Sequence, residues 1–175
     1  MDYRIGDLIV YGGSSFVCRI TDITRLDLPN VDKERLYYVL KPLHQDCVIY
    51  NPADNENMLM RHVITKKDAE NIIDMVRNEA PEPYQGSEIR QIAEHCKSIL
   101  NTRDCAKLME LTMSIHSKKQ FLLEHSRKLN TQEEMFMRQA EDMLFGELSV
   151  ALDIPREQVK SYIARRISGQ QDSPA

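Results

Sequence analysis

The chain is predicted to be α+β, a small antiparallel β-barrel or strongly bent sheet followed by an all-helical domain. Two observations predict this. Up to about residue 66 the apolar residues fall in short runs with a period near two, separated by turn residues. From residue 68 onward they recur at helical spacing, apart from a proline- and glycine-rich break at 79–86.

The strands come first. Asp7-Leu8-Ile9-Val10-Tyr11 stops at Gly12-Gly13, a turn signal. Ser15 to Thr21 alternates, with Phe16, Cys18 and Ile20 on one face. After a polar loop containing Pro29-Asn30, Arg35 to Lys41 is rich in the aromatic and branched residues that suit a pleated surface. Asp46 to Tyr50 is a fourth short strand, stopped by Asn51-Pro52, and Met58 to Ile64 holds a fifth. Five short strands joined by turns suggest closure or strong bending.

The helices follow. Ala69, Ile72, Ile73 and Val76 share one face of a helix over 68–78. Glu79-Ala80-Pro81-Glu82-Pro83-Tyr84-Gln85-Gly86 then forms a linker, because proline lacks the amide donor and glycine loosens the backbone. Ser87 is expected to cap a helix burying Ile89, Ile92, Ala93, Cys96, Ile99 and Leu100. Asn101-Thr102 is expected to cap the next, which turns Cys105, Leu108, Met109, Thr112 and Ile115 inward and runs to about Lys128. Thr131-x-x-Glu134 reads as a capping box before a helix with Phe136, Ala140, Met143, Leu144, Leu148 and Ala151 available for burial. Asp153, with Pro155 in the first turn, is expected to start a last helix carrying Val159, Tyr162, Ile163 and Ile167. The expected organisation is a β-domain over 1–66, a helix and linker over 67–86, a helical domain over 87–168 and a disordered tail over 169–175.

Composition restricts function. The chain has 175 residues, a net charge of −4, 42% hydrophobic and 29% charged residues, which fits one ordinary domain or two small ones in water. It holds no apolar run of the ~20 residues that span a bilayer. No secretory layout follows the first residues, so the cytoplasm is the expected compartment. Cys18, Cys47, Cys96 and Cys105 have irregular spacings without C-x-x-C, and are expected as small apolar core residues rather than zinc ligands or disulfides. His44, His62, His95, His116 and His125 are scattered and lack metal or nucleophile motifs. No nucleophile–base pair, phosphate loop or metal cluster points to an enzyme, and no cofactor is expected.

Charge is uneven along the chain. Residues 87–130 carry eight basic and five acidic residues, whereas 131–175 carry five and eight, and 1–70 nine and eleven. The basic middle segment is either an ordinary solvated helix face or a weak nucleic-acid-facing surface.

Tyr3-Arg4-Ile5-Gly6-Asp7-Leu8-Ile9-Val10-Tyr11, Tyr37-Tyr38-Val39-Leu40-Lys41-Pro42 and Val48-Ile49-Tyr50-Asn51-Pro52-Ala53-Asp54-Asn55 occur in this order, ending near Met60-Arg61. Together they resemble the RNA-polymerase-interacting domain shared by the CarD family of bacterial transcription regulators and transcription-repair coupling factors. Leu129-Asn130-Thr131-Gln132-Glu133-Glu134 and Leu144-Phe145-Gly146-Glu147-Leu148-Ser149-Val150-Ala151-Leu152 resemble the end of the CarD helical domain. The resemblance covers nearly the whole chain and favours a stand-alone factor.

The resemblance implies a Tudor-like N-terminal barrel, one strand of which adds to a strand of the polymerase β subunit. By position Val48, Ile49, Tyr50, Asn51 and Pro52 carry that contact, with Arg25 from the preceding loop beside them. It further implies a helical domain lying on promoter DNA at the upstream edge of the melted bubble, where it modulates open-complex stability. The family places a tryptophan wedge there. This chain has no tryptophan. Ile89 stands in the corresponding region with Tyr84 nearby, Glu134 replaces a basic residue, and Tyr50 stands where the family carries an arginine. Arg90, Lys97, Lys118 and Lys119 are the expected DNA contacts, the first two being seven apart and so on one helix face.

Two other readings remain open. Leu148 to Val159 has the cadence of a helix-turn-helix, with Arg156, Lys160, Arg165 and Arg166 available to a major groove. The absence of tryptophan also suits an adaptor that binds proteins without touching DNA. No membrane or small-molecule partner is expected.

Overall fold

The computed structural model describes residues 3–12, 16–55, 60–78, 82 and 89–169. Its element order is five strands and then five helices, and it divides into units at 1–63 and 64–175. The expected linker apart from Glu82, the Ser87 cap, the Gly13 turn position and residues 170–175 lie outside the described residues.

The first unit is an antiparallel sheet of β1 (Leu8–Tyr11), β2 (Phe16–Arg25), β3 (Leu36–Pro42), β4 (Ile49–Pro52) and β5 (Met60–His62), in the order β4-β3-β2-β1-β5. Among the described residues no ladder joins β4 to β5, so the sheet is open, with those two strands at its edges. Ile9, Cys18, Ile20, Tyr38 and Leu40 form the core on one face. Alternation along β2 changes phase at Thr21. Ile20 pairs with Leu40 but Asp22 with Val39, so Thr21 is the extra residue of a β-bulge. Its hydroxyl donates to the Val39 carbonyl at 3.1 Å. The bulge bends the sheet and lets Ile23 follow Ile20 onto the core. The expected alternation of Cys18 and Ile20 is therefore observed, but only as far as the bulge.

The second unit contains α1 (Lys66–Asn78), α2 (Ile89–Thr102), α3 (Cys105–Glu124), α4 (Thr131–Leu152) and α5 (Arg156–Ile167). The sequence joined the first helix to a linker, whereas α1 buries Ala69, Ile73 and Val76 in the core of the helical unit. The chain changes units within one peptide. The Val63 amide donates to the Leu8 carbonyl at 3.2 Å, and the next amide, Ile64, donates to the Glu147 carboxylate at 3.1 Å.

Several helix ends differ from expectation, and at the starts of α3 and α4 the reason is a hydrogen-bond acceptor one or two residues away. Asp104, not Asn101-Thr102, caps α3 by accepting from the Ala106 and Lys107 amides. The capping box of α4 is Asn130 with Glu133 rather than Thr131 with Glu134. Asp153 ends α4 in the left-handed region (φ 55°), and α5 starts after Pro155 with no side-chain cap. The helix expected to reach Lys128 stops at Glu124. Burial of Leu108, Met109 and Ile115 on α3, and of Phe136, Leu144 and Leu148 on α4, follows the predicted spacing.

Cys18, Cys96 and Cys105 are buried as expected, but Cys47 is exposed in the loop before β4. Burial raises the Cys18 and Cys96 thiols to about 11. Cys47 is thus expected to be the one fast-reacting thiol of four when the folded chain is titrated with a thiol reagent near pH 8, and all four should react after denaturation.

Candidate protein-docking edge

An edge strand is receptive only where its outward backbone groups are unoccupied, so the direction of each amide along β4 and β5 decides the matter. The Ala53 amide donates to the Leu36 carbonyl at 2.8 Å. With Tyr38 opposite Asn51 and Leu40 opposite Ile49, the same parity turns the backbone groups of Asn51 and Ile49 toward β3. The N–H and C=O of Tyr50 therefore point away from the sheet. Side chains alternate in the same way. Tyr50 is 45% exposed and Val48 50%, while Ile49 packs on the core. Pro52 contributes no N–H, and its carbonyl accepts the Asn55 amide at 3.1 Å.

On the opposite edge the outward carbonyls are occupied. The Val63 amide bonds to Leu8, so the backbone groups of Arg61 face β1 and those of Met60 and His62 face outward. The Tyr3 hydroxyl donates to the Met60 carbonyl at 2.7 Å, and the Arg61 guanidinium to the His62 carbonyl at 3.2 Å. The Tyr3 ring also lies against His62, with centroids 5.0 Å apart. Both outward carbonyls of β5 are thereby taken by side chains, whereas among the described residues no hydrogen bond occupies the outward carbonyl of Tyr50.

Two of the expected contact residues are placed elsewhere. Asn51 is 3% exposed, and its side-chain amide donates to the Met60 sulfur at 3.2 Å and accepts from Asn55 at 3.4 Å, so it holds the core rather than a partner. Arg25 is the last residue of β2, not a loop residue, and pairs with Leu36. That puts it two strands, about 10 Å, from β4. Alternation also sets it on the face of Ile23, while Tyr50 lies in the row Asp22–Val39–Tyr50 on the other face. Arg35, immediately before β3, is clamped on Asp54 just past β4 by three bonds of 2.6–3.2 Å. This clamp holds the Asp54 carboxyl below its usual range.

The expected DNA contacts are equally divided. Tyr84 and the Ile89 side chain lie outside the described residues. Arg90 and Lys97 are exposed on the outer face of α2, as their spacing predicts, but Arg90 donates to Glu94 one turn on at 3.0 Å. Lys118 is not a surface cation. Its ammonium donates to Glu133 at 2.6 Å, with side-chain exposures of 19% and 5%. Lys119 is half-buried. Sequence reasoning missed the two buried carboxylates of α4, Glu133 and Glu147. The second accepts from the Cys105 thiol at 3.0 Å as well as from the Ile64 amide. Neither had a signal in the sequence, where a glutamate on a helix reads as solvated.

A cleft of about 800 Å³ runs between α1 and α5, lined by Lys66, Glu70, Asp74, Arg77, Tyr162 and Arg166 among others. Arg166 crosses it to grip Asp74 with two bonds of 2.8 and 2.7 Å, which holds the Asp74 carboxyl below its usual range. A carboxyl depressed in the folded state stabilises above its unfolded value, near 4, and loses that contribution as pH falls through its folded value. Asp74→Asn is therefore expected to lower the melting temperature at neutral pH. It should also make the fall of melting temperature below about pH 4 shallower than in the parent. Parallel slopes would contradict the assignment.

No protein-family model matches the chain, and a search of curated proteins finds no match.

Proposed function

We propose that this chain is a transcription regulator of the CarD type that binds the β subunit of bacterial RNA polymerase by strand addition to β4. The observation that carries this reading is the contrast between the two sheet edges. The groups of Tyr50 are open beside an exposed aromatic and an exposed valine, while the carbonyls of β5 are filled from within the unit. Main-chain pairing would supply affinity and the side chains of Tyr50 and Val48 the specificity. In this reading the open, bulged sheet is a Tudor-like barrel left incomplete between β4 and β5.

The helical unit is assigned the weaker role of modulating open promoter complexes, through the exposed cations Arg90 and Lys97. The second reading, an adaptor without DNA contact, is favoured by the pairing of Lys118 with Glu133 and of Arg90 with Glu94. A helix-turn-helix reader gains nothing here, because Arg156 pairs with Asp142 and Arg166 with Asp74. The lifetime of competitor-challenged open complexes separates the readings. The full chain should lengthen it, and Tyr50→Glu should remove the effect. If Arg90→Glu with Lys97→Glu leaves the lifetime unchanged, the adaptor reading stands. No effect of the parent chain on polymerase binding or lifetime contradicts both.

A further inference from the structure

We infer that a latch of side chains between its two edges holds the sheet of the first unit rolled, with Tyr3 as the strap that locks it. The latch opens as a local unit while the rest of the sheet stays folded. Among the described residues no ladder joins β4 to β5. In a flat sheet of this strand order the two edges would stand about 19 Å apart. Yet the Asn51 side-chain amide of β4 reaches the Met60 sulfur of β5 at 3.2 Å. The sheet is therefore curled until its edges meet, and side chains make the join that the backbone does not. The bulge at Thr21 supplies part of the bend.

Tyr3 fixes the same join. Its hydroxyl donates to the Met60 carbonyl at 2.7 Å. Its ring stands edge-on to Tyr38 of β3, with centroids 5.8 Å apart, and lies against His62 of β5 at 5.0 Å. In the sheet order β2 and β1 separate β3 from β5, so one side chain spans strands that the ladders keep apart. A tight turn delivers it. The Arg4 amide donates to the Asp7 carboxylate at 2.8 Å, and the Asp7 amide to the Arg4 carbonyl at 3.1 Å. Within this turn Gly6 takes φ 97°, a conformation that favours glycine, and its amide donates to the Ile20 carbonyl at 2.7 Å.

Little else holds the latch. β5 is three residues long and, among the described residues, pairs with β1 alone. The Asn51 bond to sulfur is weak, because a thioether is a poor acceptor. Elements with so few contacts open below the energy of global unfolding. Release of Tyr3 frees the Met60 carbonyl and removes the ring that spans Tyr38 and His62, so the two edges change state together.

Residue-resolved amide exchange of the full chain across low urea concentrations tests this. The Arg61 and Val63 amides, which face β1, are expected to exchange at least about tenfold faster than the amides of the β2–β3 ladder, with a shallower dependence on urea. Tyr3→Phe keeps the ring and removes the hydroxyl, and should speed exchange of Arg61 and Val63 by about fivefold. Tyr3→Ala removes both, and should speed it by more than about tenfold. Gly6→Ala is an independent check. A Cβ there meets nothing within 4 Å, so this variant unseats Tyr3 through the backbone angle alone and should act in the same direction. Arg61 and Val63 amides that exchange at the rate and with the urea dependence of the β2–β3 ladder would show one cooperative sheet and overturn the latch. Tyr3 variants that leave both amides unchanged would overturn the strap. If Tyr3→Ala fails to fold, Tyr3→Phe and Gly6→Ala keep the test decisive.

Discussion

Tyr50→Pro is expected to weaken binding to the polymerase β subunit by roughly 30- to 1000-fold without unfolding the chain. The magnitude follows from the groups involved. The substitution removes the central outward N–H and leaves a carbonyl of the incoming strand buried without a donor, at about 2–4 kcal/mol in total. The fold should survive for the same geometric reason. The Tyr50 amide makes no bond to β3, and proline is tolerated on an edge strand whose N–H faces solvent. Calorimetric titration against the β fragment measures the loss, and circular dichroism checks the fold. The matching substitution Asn51→Pro reverses the pattern. The Asn51 amide faces β3 and its side chain is buried, so this variant should unfold the first unit. Equal binding by parent and Tyr50→Pro chains would show that the edge is not used.

Lys118→Met is expected to be the most damaging single change on the helical unit's charged residues, and to act on stability rather than on DNA. It leaves Glu133 as a nearly buried carboxylate without its cation. Breaking such a pair from one side costs about 3–5 kcal/mol, and the partial exposure of Lys118 brings the expected value to about 2–4 kcal/mol. Glu133 also receives the Asn130 amide in the capping box, so the start of α4 should loosen with it. The double variant Lys118→Met with Glu133→Gln should recover more than half of the loss, because the amide keeps a polar partner for the cap without a buried charge. Urea denaturation of the four chains of this cycle measures the coupling. A Lys118→Met chain as stable as the parent, with weaker DNA binding, would restore the surface role that the sequence suggested.

The course of the chain was legible wherever burial alone decides it. Period two and period 3.6 located the strands and helices because apolar spacing reports which face is covered. Cys105, Leu108, Met109, Thr112 and Ile115 are all buried on α3 as their spacing implies. What was not legible depends on partners distant in sequence. Nothing local distinguishes Lys118 from Lys119, yet only the first meets Glu133, fifteen residues away. Nothing local told that the α4 cap is Asn130, one residue before the threonine of an equally good motif. Arg25 was misplaced because the bulge at Thr21 lengthens β2 and reverses its alternation, and a bulge inserts one residue without changing composition. The proposed docking edge was half legible. Position and the proline stop pointed to residues 48–52, but which of them face outward required the register with β3. The occlusion of β5 by Tyr3 required contacts 57 residues apart.

Residue-resolved amide exchange of the full chain, alone and saturated with the polymerase β fragment, tests the central claim most directly. The account predicts that the Tyr50 amide exchanges quickly in the free chain and slows by at least roughly tenfold in the complex, with the Met60 and His62 amides on the opposite edge unchanged. A complex that leaves the Tyr50 amide as fast as before, or that slows the Met60 and His62 amides instead, would contradict it.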